Sequence, residues 1–277
     1  MNALIRTSIL LALAGVGAVE SQGPILEDSV QMRLNDSPRH QEWVKVKSGD
    51  HSVEACLVFP EVSHKALAVL VIHENKGLTD WVRGVANRLA EEGYIAIAPD
   101  LLSGKGPKGG GTSSFQSEDE ARTAIYTLEE EHVLGDLDAV ADYVVGLPAA
   151  NGKVVVGGFC WGGSSSFLYA THRKDLGAAF VFYGGAPQSP EAIGRIACPV
   201  YGFYGGTDNR INSGIPVTED LMAKAGKRYE PVIYEGAGHA FMRKGEESGA
   251  AEASRVSRSA AWKRWLSLLN SEPVKSE

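Results

Sequence analysis

The sequence predicts an α/β protein: a mostly parallel, doubly wound sheet opened by an N-terminal antiparallel hairpin, with helices on both faces. Three observations carry this. Apolar runs of strand length alternate with longer amphipathic segments, no internal repeat interrupts them, and the residues best suited to chemistry fall just past predicted strands. With 277 residues, 44% hydrophobic and 22% charged, the chain can bury one large core, and nothing in it marks a second domain.

Residues 1–18 carry a single charge, Arg6, ahead of an apolar stretch over 8–19 that is too short to span a bilayer. Val16-Gly17-Ala18 suits signal-peptidase cleavage, so we expect a signal peptide and an exported protein, periplasmic or extracellular, without stable membrane insertion. An uncleaved apolar helix is the competing reading. Residues 19–41 read as a polar lead-in, and 42–277 as a single domain.

Within that domain, 43–46 and 53–59, split by Ser48-Gly49-Asp50, form the opening hairpin. Strand 66–72 precedes a helix over 80–92 that places Val82, Val85 and Leu89 on one face, with Gly93 as its stop and a strand at 94–98 beyond. A glycine-rich loop, 103–114, gives way to a helix announced by Ser117-Glu118-Asp119-Glu120, where a serine and a glutamate three residues on satisfy free first-turn amides. A helix near 133–145 leads into the apolar strand Lys153-Val154-Val155-Val156-Gly157. Strands at 178–183, 199–204 and 229–234 follow, and a helix around 250–269 completes the sheet's cover.

Between strand 153–157 and a small-residue segment able to open a helix stand Gly158-Phe159-Cys160-Trp161-Gly162-Gly163. That is a nucleophile elbow with sulfur in place of oxygen. Such a turn is tight enough to strain the nucleophile's backbone, and only glycine fits where neighbouring chain passes close. The pattern gains force when an acid and a histidine follow in that order. Gly205-Gly206-Thr207-Asp208-Asn209 sits directly after strand 199–204, and strand 229–234 runs into Glu235-Gly236-Ala237-Gly238-His239-Ala240-Phe241. Asp208 can then orient the imidazole of His239, His239 can take and return the thiol proton, and Cys160 can attack a carbonyl carbon.

Each choice has a structural competitor. A free cysteine is usually a small buried hydrophobe, and Cys56 and Cys198, in apolar strand-like runs, keep that reading; the elbow glycines single out Cys160. Asp208 alone could be an Asx-turn residue and His239 a turn histidine, yet their order and placement favour the triad. His40, His51, His64, His132 and His172 lack such placement and read as solvated or structural. Three cysteines are odd in number, so at least one thiol stays unpaired even in an oxidising compartment.

Other chemistries are excluded. Gly104-Lys105-Gly106-Pro107-Lys108-Gly109 satisfies a dinucleotide-binding spacing, but Pro107 and the surrounding glycines cannot open the helix such a site requires, so no nucleotide cofactor is expected. His73-Glu74 begins like a zinc-protease motif, but Gly77 stands where the second histidine belongs, and no metal is implied. A net charge of −7 and the lack of a basic stripe argue against nucleic acid. The partner expected from the triad is a small molecule with a carbonyl carbon that the thiol can attack.

His73-Glu74-Asn75, Ala98-Pro99-Asp100-Leu101, the cysteine elbow and Gly236-Ala237-Gly238-His239-Ala240-Phe241 together resemble the dienelactone hydrolases, also called carboxymethylenebutenolidases. These are a cysteine-dependent branch of the α/β-hydrolase fold, and the resemblance runs over about 44–269. It implies that Glu74 takes the thiol proton when substrate binds, so that Cys160 is masked at rest. It implies an oxyanion hole made by the backbone amides of Asn75 and Trp161, and a substrate carboxylate bound by Arg243. The second carboxylate-binding arginine is represented by Arg122, in the corresponding helix, although a gap-free alignment back from Cys160 puts Glu118 there; Lys76 offers a substitute cation. With an export signal, the expected substrate is a related ester, lactone or thioester outside the membrane.

The chemistry expected is two-step acyl transfer: attack by the sulfur, oxyanion stabilisation by amides, protonation of the leaving oxygen by His239, then hydrolysis by water activated at the same imidazole. A free cysteine titrates at about 8.5, so a proton acceptor is needed, and His239 and Glu74 are the two candidates. The reading from another class is an exported, non-catalytic binding protein that keeps the hydrolase scaffold to carry a small acid.

Overall fold

Thr79, Gly93 and the apolar face between them fix the first crossover of a computed structural model that describes residues 26–271. The signal peptide read in residues 1–18 lies outside the described residues. In chain order the elements are α1 (Leu26–Asn35), β1 (Gln41–Ser48), β2 (His51–Val58), β3 (Ala66–Ile72), α2 (Asp80–Glu91) and β4 (Ile95–Pro99). They continue with α3 (Glu118–Ile125), α4 (Glu130–Val145), β5 (Ala150–Phe159), α5 (Trp161–His172), β6 (Leu176–Phe182), α6 (Pro190–Gly194) and β7 (Val200–Gly205). The last are α7 (Asn209–Asn212), α8 (Ile215–Lys224), β8 (Tyr229–Tyr234), α9 (Phe241–Lys244) and α10 (Glu252–Leu269).

The strands form one eight-stranded sheet in the order β1-β2-β4-β3-β5-β6-β7-β8. β1 and β2 pair antiparallel, β2 pairs antiparallel with β4, and every pairing from β4 through β8 is parallel. Strands covered on both faces read as unbroken apolar runs, and β3 is buried at all seven positions. Its side chains alternate: Ala66, Ala68, Leu70 and Ile72 join a core with α4 and α5, whereas Leu67, Val69 and Val71 join a second core with α2 and α10. Beyond β3 the chain turns towards β4, and beyond β5 towards β6, so the C-terminal ends of β3 and β5 flank the crevice where such sheets hold ligands.

One expectation needs correction. The lead-in expected over 19–41 as polar chain contributes α1, which rests on α2 with Val30 and Leu34 buried. Two apolar residues four apart make a stripe one residue wide, which polar neighbours conceal in any composition average. Gly84 on α2 leaves the room, since a Cβ there would sit 3.0 Å from Val30 Cγ1.

The loop over 103–114 is anchored more firmly than its glycines imply. Buried Asp100 accepts hydrogen bonds from the amides of Leu102 (3.0 Å) and Thr112 (2.7 Å) and from the Thr112 hydroxyl (2.6 Å). The same Thr112 oxygen accepts from the Leu78 amide at 2.9 Å, which ties this loop to the turn after β3.

Beneath the elbow, fully buried Trp265 of α10 meets Phe182 edge-on at 4.9 Å and Phe159 at 6.0 Å. Its ring lies so close to β5 that a Cβ on Gly157 would approach Cζ2 to 2.8 Å. Trp265→Ala is therefore expected to lower unfolding free energy by about 3–5 kcal/mol in urea titrations. A loss under about 1 kcal/mol would mean that this cluster does not support the elbow strand.

Candidate active site

At the end of β5 the backbone of Cys160 takes φ 57° and ψ −113°, a left-handed φ that costs a non-glycine residue roughly 1–3 kcal/mol. The conformation is held because its neighbours leave no alternative. The Cys160 amide donates to Phe182 O (2.9 Å), its carbonyl accepts from the Ser164 amide (3.1 Å), and the first turn of α5 is wedged between β3 and β6. A Cβ on Gly158 would stand 2.1 Å from Gly162 O, and one on Gly162 would stand 2.3 Å from His73 O. The glycines of the motif are steric requirements at these two positions.

β7 delivers Asp208 and the turn after β8 delivers His239 to the same rim. His239 Nδ1 lies 2.5 Å from Asp208 Oδ2, and Nε2 lies 3.1 Å from Cys160 Sγ. A carboxylate only accepts, so the ring proton sits on Nδ1 and Nε2 is left to accept from the thiol. Asp208 is buried and Cys160 half-buried, while the imidazole keeps an exposed edge. This arrangement can abstract a thiol proton and return it to a leaving group.

The thiol itself is held protonated. Burial raises its pKa first and the Glu74 charge raises it further, against the amides of Trp161 and Asn75 and the charge of Arg210. Both amides proposed from the sequence for an oxyanion hole thus approach the sulfur. The groups named from the sequence that meet here are Cys160, Asp208, His239, Glu74, Asn75, Trp161 and Arg243.

Glu74 is not bound to the thiol. It is buried at the end of β3, and its Oε2 accepts from Arg243 Nε at 2.7 Å. The resemblance implied that Glu74 takes the thiol proton only when substrate binds. At rest the sulfur lies against His239 and Glu74 is held by an opposite charge. Arg243 is correspondingly engaged: besides Glu74, its Nη1 donates to Glu247 at 3.3 Å. It is a paired cation here rather than an open carboxylate receptor.

The cations that pair with carboxylates of α3 are likewise engaged. Lys76 pairs with Glu118 at 2.5 Å, and the exposed guanidinium of Arg122 turns to Asp119 at 2.7 Å. Glu118 and Arg122 nonetheless share a helix face with Tyr126 one turn further on, and the amide of the Asn75 side chain donates to the Tyr126 hydroxyl at 3.2 Å. Arg122 therefore stands between two residues that contact the turn after β3.

Two residues were not visible from the sequence. Tyr183 follows β6 with φ 43°, is fully buried, and sets its ring edge-on to His239 at 5.1 Å, with its hydroxyl 3.5 Å from Glu74 Oε1. Burial, reinforced by Glu74, pushes its phenol well above the ordinary tyrosine range. A strained φ at a strand end has no sequence signature when the residue is not glycine. Arg210 is exposed two residues past Asp208, and its charge reaches the thiol. Only the position of Asp208 could have drawn attention to it.

A sheet of this order, with an elbow at the end of β5 and a cysteine, an imidazole and a carboxylate gathered at its C-terminal rim, has the α/β-hydrolase fold. Residues 53–272 match the Dienelactone hydrolase family, and the chain belongs to that family. It is accordingly a hydrolase acting on ester or lactone bonds. A Saccharolobus solfataricus protein provisionally named a carboxymethylenebutenolidase is 33% identical over 248 residues, covering 78% of this chain and 93% of its own. The carboxymethylenebutenolidase of Pseudomonas putida is 27% identical over 224 residues, covering 78% and 92%. Among solved structures, a provisionally assigned dienelactone hydrolase from Klebsiella pneumoniae superposes with a TM-score of 0.72 at 26% identity, covering 83% of this chain and 97% of that one.

The electrostatics make a directional demand on Glu74. Removing its charge with Glu74→Gln takes away an anion that disfavours the thiolate and frees Arg243, so the thiol pKa falls. Alkylation of the resting enzyme by iodoacetamide at pH 7.5 is then expected to quicken, about tenfold for each unit of decrease. Slower alkylation in the variant would show that Glu74 serves as the resting proton acceptor.

Proposed function

We propose that this protein is an exported cysteine-dependent hydrolase that cleaves a small ester or lactone by acyl transfer through Cys160, His239 and Asp208. One observation carries the reading: the chain from Sγ to Nε2 at 3.1 Å and from Nδ1 to Asp208 at 2.5 Å, assembled at the crevice of the sheet. Export rests on the composition of residues 1–18.

In the acylation step the thiol proton passes to His239 Nε2 as the sulfur bonds to the carbonyl carbon, and the amides of Asn75 and Trp161 take up the charge developing on oxygen. Collapse of the tetrahedral species breaks the carbon–oxygen bond, and Nε2 returns its proton to the leaving oxygen. Water attacks the thioester with Nε2 as base, giving the acid and the free thiol. Throughout, Asp208 keeps the proton on Nδ1 and offsets the imidazolium charge.

Glu74 and Arg243 couple this chemistry to occupancy. A substrate carboxylate that competes for Arg243 releases Glu74, which then offers the thiol proton a first acceptor, as the resemblance implied; a proton taken there in place of Nε2 passes on to the imidazole before the leaving oxygen is protonated. Arg122 gives up its own partner more easily, because an exposed ion pair is worth only about 0–1 kcal/mol. Carboxylate-bearing esters and lactones are therefore the favoured substrates, received first by Arg122 and Arg210 at the mouth and then by Arg243.

A panel of neutral and carboxylate-bearing nitrophenyl esters and lactones tests this. Cys160→Ala is expected to lower kcat/KM by at least about 10³-fold, and Cys160→Ser to leave a small residue of activity. Full activity in Cys160→Ala would remove the nucleophile assignment. Equal kcat/KM for neutral and anionic esters of matched size would remove the carboxylate preference.

A further inference from the structure

Among the buried titratable groups that the mechanism above leaves unused, one lies beside both oxyanion donors. His73, at the junction of β3 and the turn carrying Glu74 and Asn75, is completely buried. Both of its ring nitrogens are engaged: Nδ1 lies 2.7 Å from Glu74 O, and Nε2 lies 3.2 Å from the Leu101 amide nitrogen. A backbone amide can only donate, so Nε2 is the acceptor. The ring proton therefore sits on Nδ1 and is donated to the Glu74 carbonyl. Burial holds the ring neutral by lowering its pKa, against the opposing charge of Asp100.

The Glu74 carbonyl and the Asn75 amide are the two ends of a single peptide plane. In a trans peptide they point in opposite directions, and the described chain has no cis bond. Fixing the carbonyl on His73 thus turns the Asn75 N–H the other way, towards the sulfur it is found to reach. A hydrogen bond at the carbonyl also polarises the peptide and strengthens its N–H as a donor, by roughly 10–30% on condensed-phase estimates. The same imidazole stacks on the Trp161 indole at 5.6 Å and 14°. Its own carbonyl abuts Gly162 so closely that a Cβ there would come to 2.3 Å. His73 therefore touches the chain on both sides of the sulfur.

We propose that His73 is a positioning residue for the oxyanion hole: its Nδ1–H sets the orientation of the Glu74–Asn75 peptide, and its ring braces Trp161, which supplies the second donor. The alternative is a core histidine whose hydrogen bonds merely avoid a burial penalty. The inference rests on the acyl-transfer reading of Cys160, and the two fail separately: activity lost in Cys160→Ala but retained in His73→Leu sinks only this one.

Asparagine and leucine have nearly the same shape, and only asparagine can donate to the Glu74 carbonyl. The full-length enzyme is therefore compared as His73→Asn and His73→Leu, with folding checked by circular dichroism. Steady-state kinetics are measured on a nitrophenyl ester, together with inhibition by a trifluoromethyl ketone, which forms a tetrahedral adduct, and by the product acid, which does not. His73→Leu is expected to lose about 10²–10³-fold in kcat, the scale of one missing oxyanion donor, with KM changed less than about threefold. It should weaken the ketone by a similar factor and the product acid by less than about threefold. His73→Asn should keep kcat within about tenfold of the parent. The proposal is overturned if the two variants lose equally, or if the losses fall on KM and product binding instead of kcat and the ketone. Should His73→Leu fail to fold, His73→Asn decides alone: activity within tenfold with the ketone preference preserved supports the proposal, and a loss of about 10²-fold or more overturns it.

Discussion

The site depends on one strained residue. Cys160 adopts a φ of 57° that its side chain disfavours, and it stays there because α5 begins between the ends of β3 and β6 with no room to relax. Two consequences follow from the same constraint. The sulfur is presented at the crevice rather than folded into the core, and the amide after it is exposed at the first turn of a helix, where backbone N–H groups have no intrahelical partner. Strain, exposure of the sulfur and an available donor are thus products of one turn, supported from below by Trp265 and the aromatic rings around Phe159.

Charge placement sets the resting state that this geometry serves. Burial first, and then the charge of the neighbouring Glu74 carboxylate, keep the thiol protonated, and the carboxylate is stabilised by Arg243 instead of by the sulfur. A protonated thiol resists oxidation and adventitious alkylation. The cations at the mouth are mostly paired on the surface, with Lys76 on Glu118 and Arg122 on Asp119. Such pairs exchange partners at small cost, so an arriving anion meets positive charge without the enzyme having to hold it unpaired.

Much of this was legible because glycines and strand ends punctuate the sequence. The strands expected at 66–72 and 229–234 coincide with Ala66–Ile72 and Tyr229–Tyr234, since each is a short run bounded by turn residues. The elbow, Asp208 and His239 could be placed because each follows such a run. The short helices α6, α7 and α9 escaped notice because four or five residues carry no usable periodicity. Helix α1 escaped because two apolar residues do not make an amphipathic pattern. The bond between Glu74 and Arg243 spans 169 positions and exists only once the end of β3 and α9 share a rim, so pairing could not be inferred from either residue alone. Tyr183 and the role of His73 belong to the same class. Their meaning lies in a backbone angle and in the direction of a peptide plane, which the side-chain alphabet does not encode.

The account turns on a covalent bond to sulfur, and the most direct measurement is the mass of acid-quenched enzyme sampled within the first turnovers of a nitrophenyl ester. The account requires a population heavier by the acyl group, with the added mass mapping to the peptide that contains Cys160 and disappearing as substrate is exhausted. Rapid product release with no acyl mass on that peptide, or with the mass on a serine or lysine elsewhere, would contradict it.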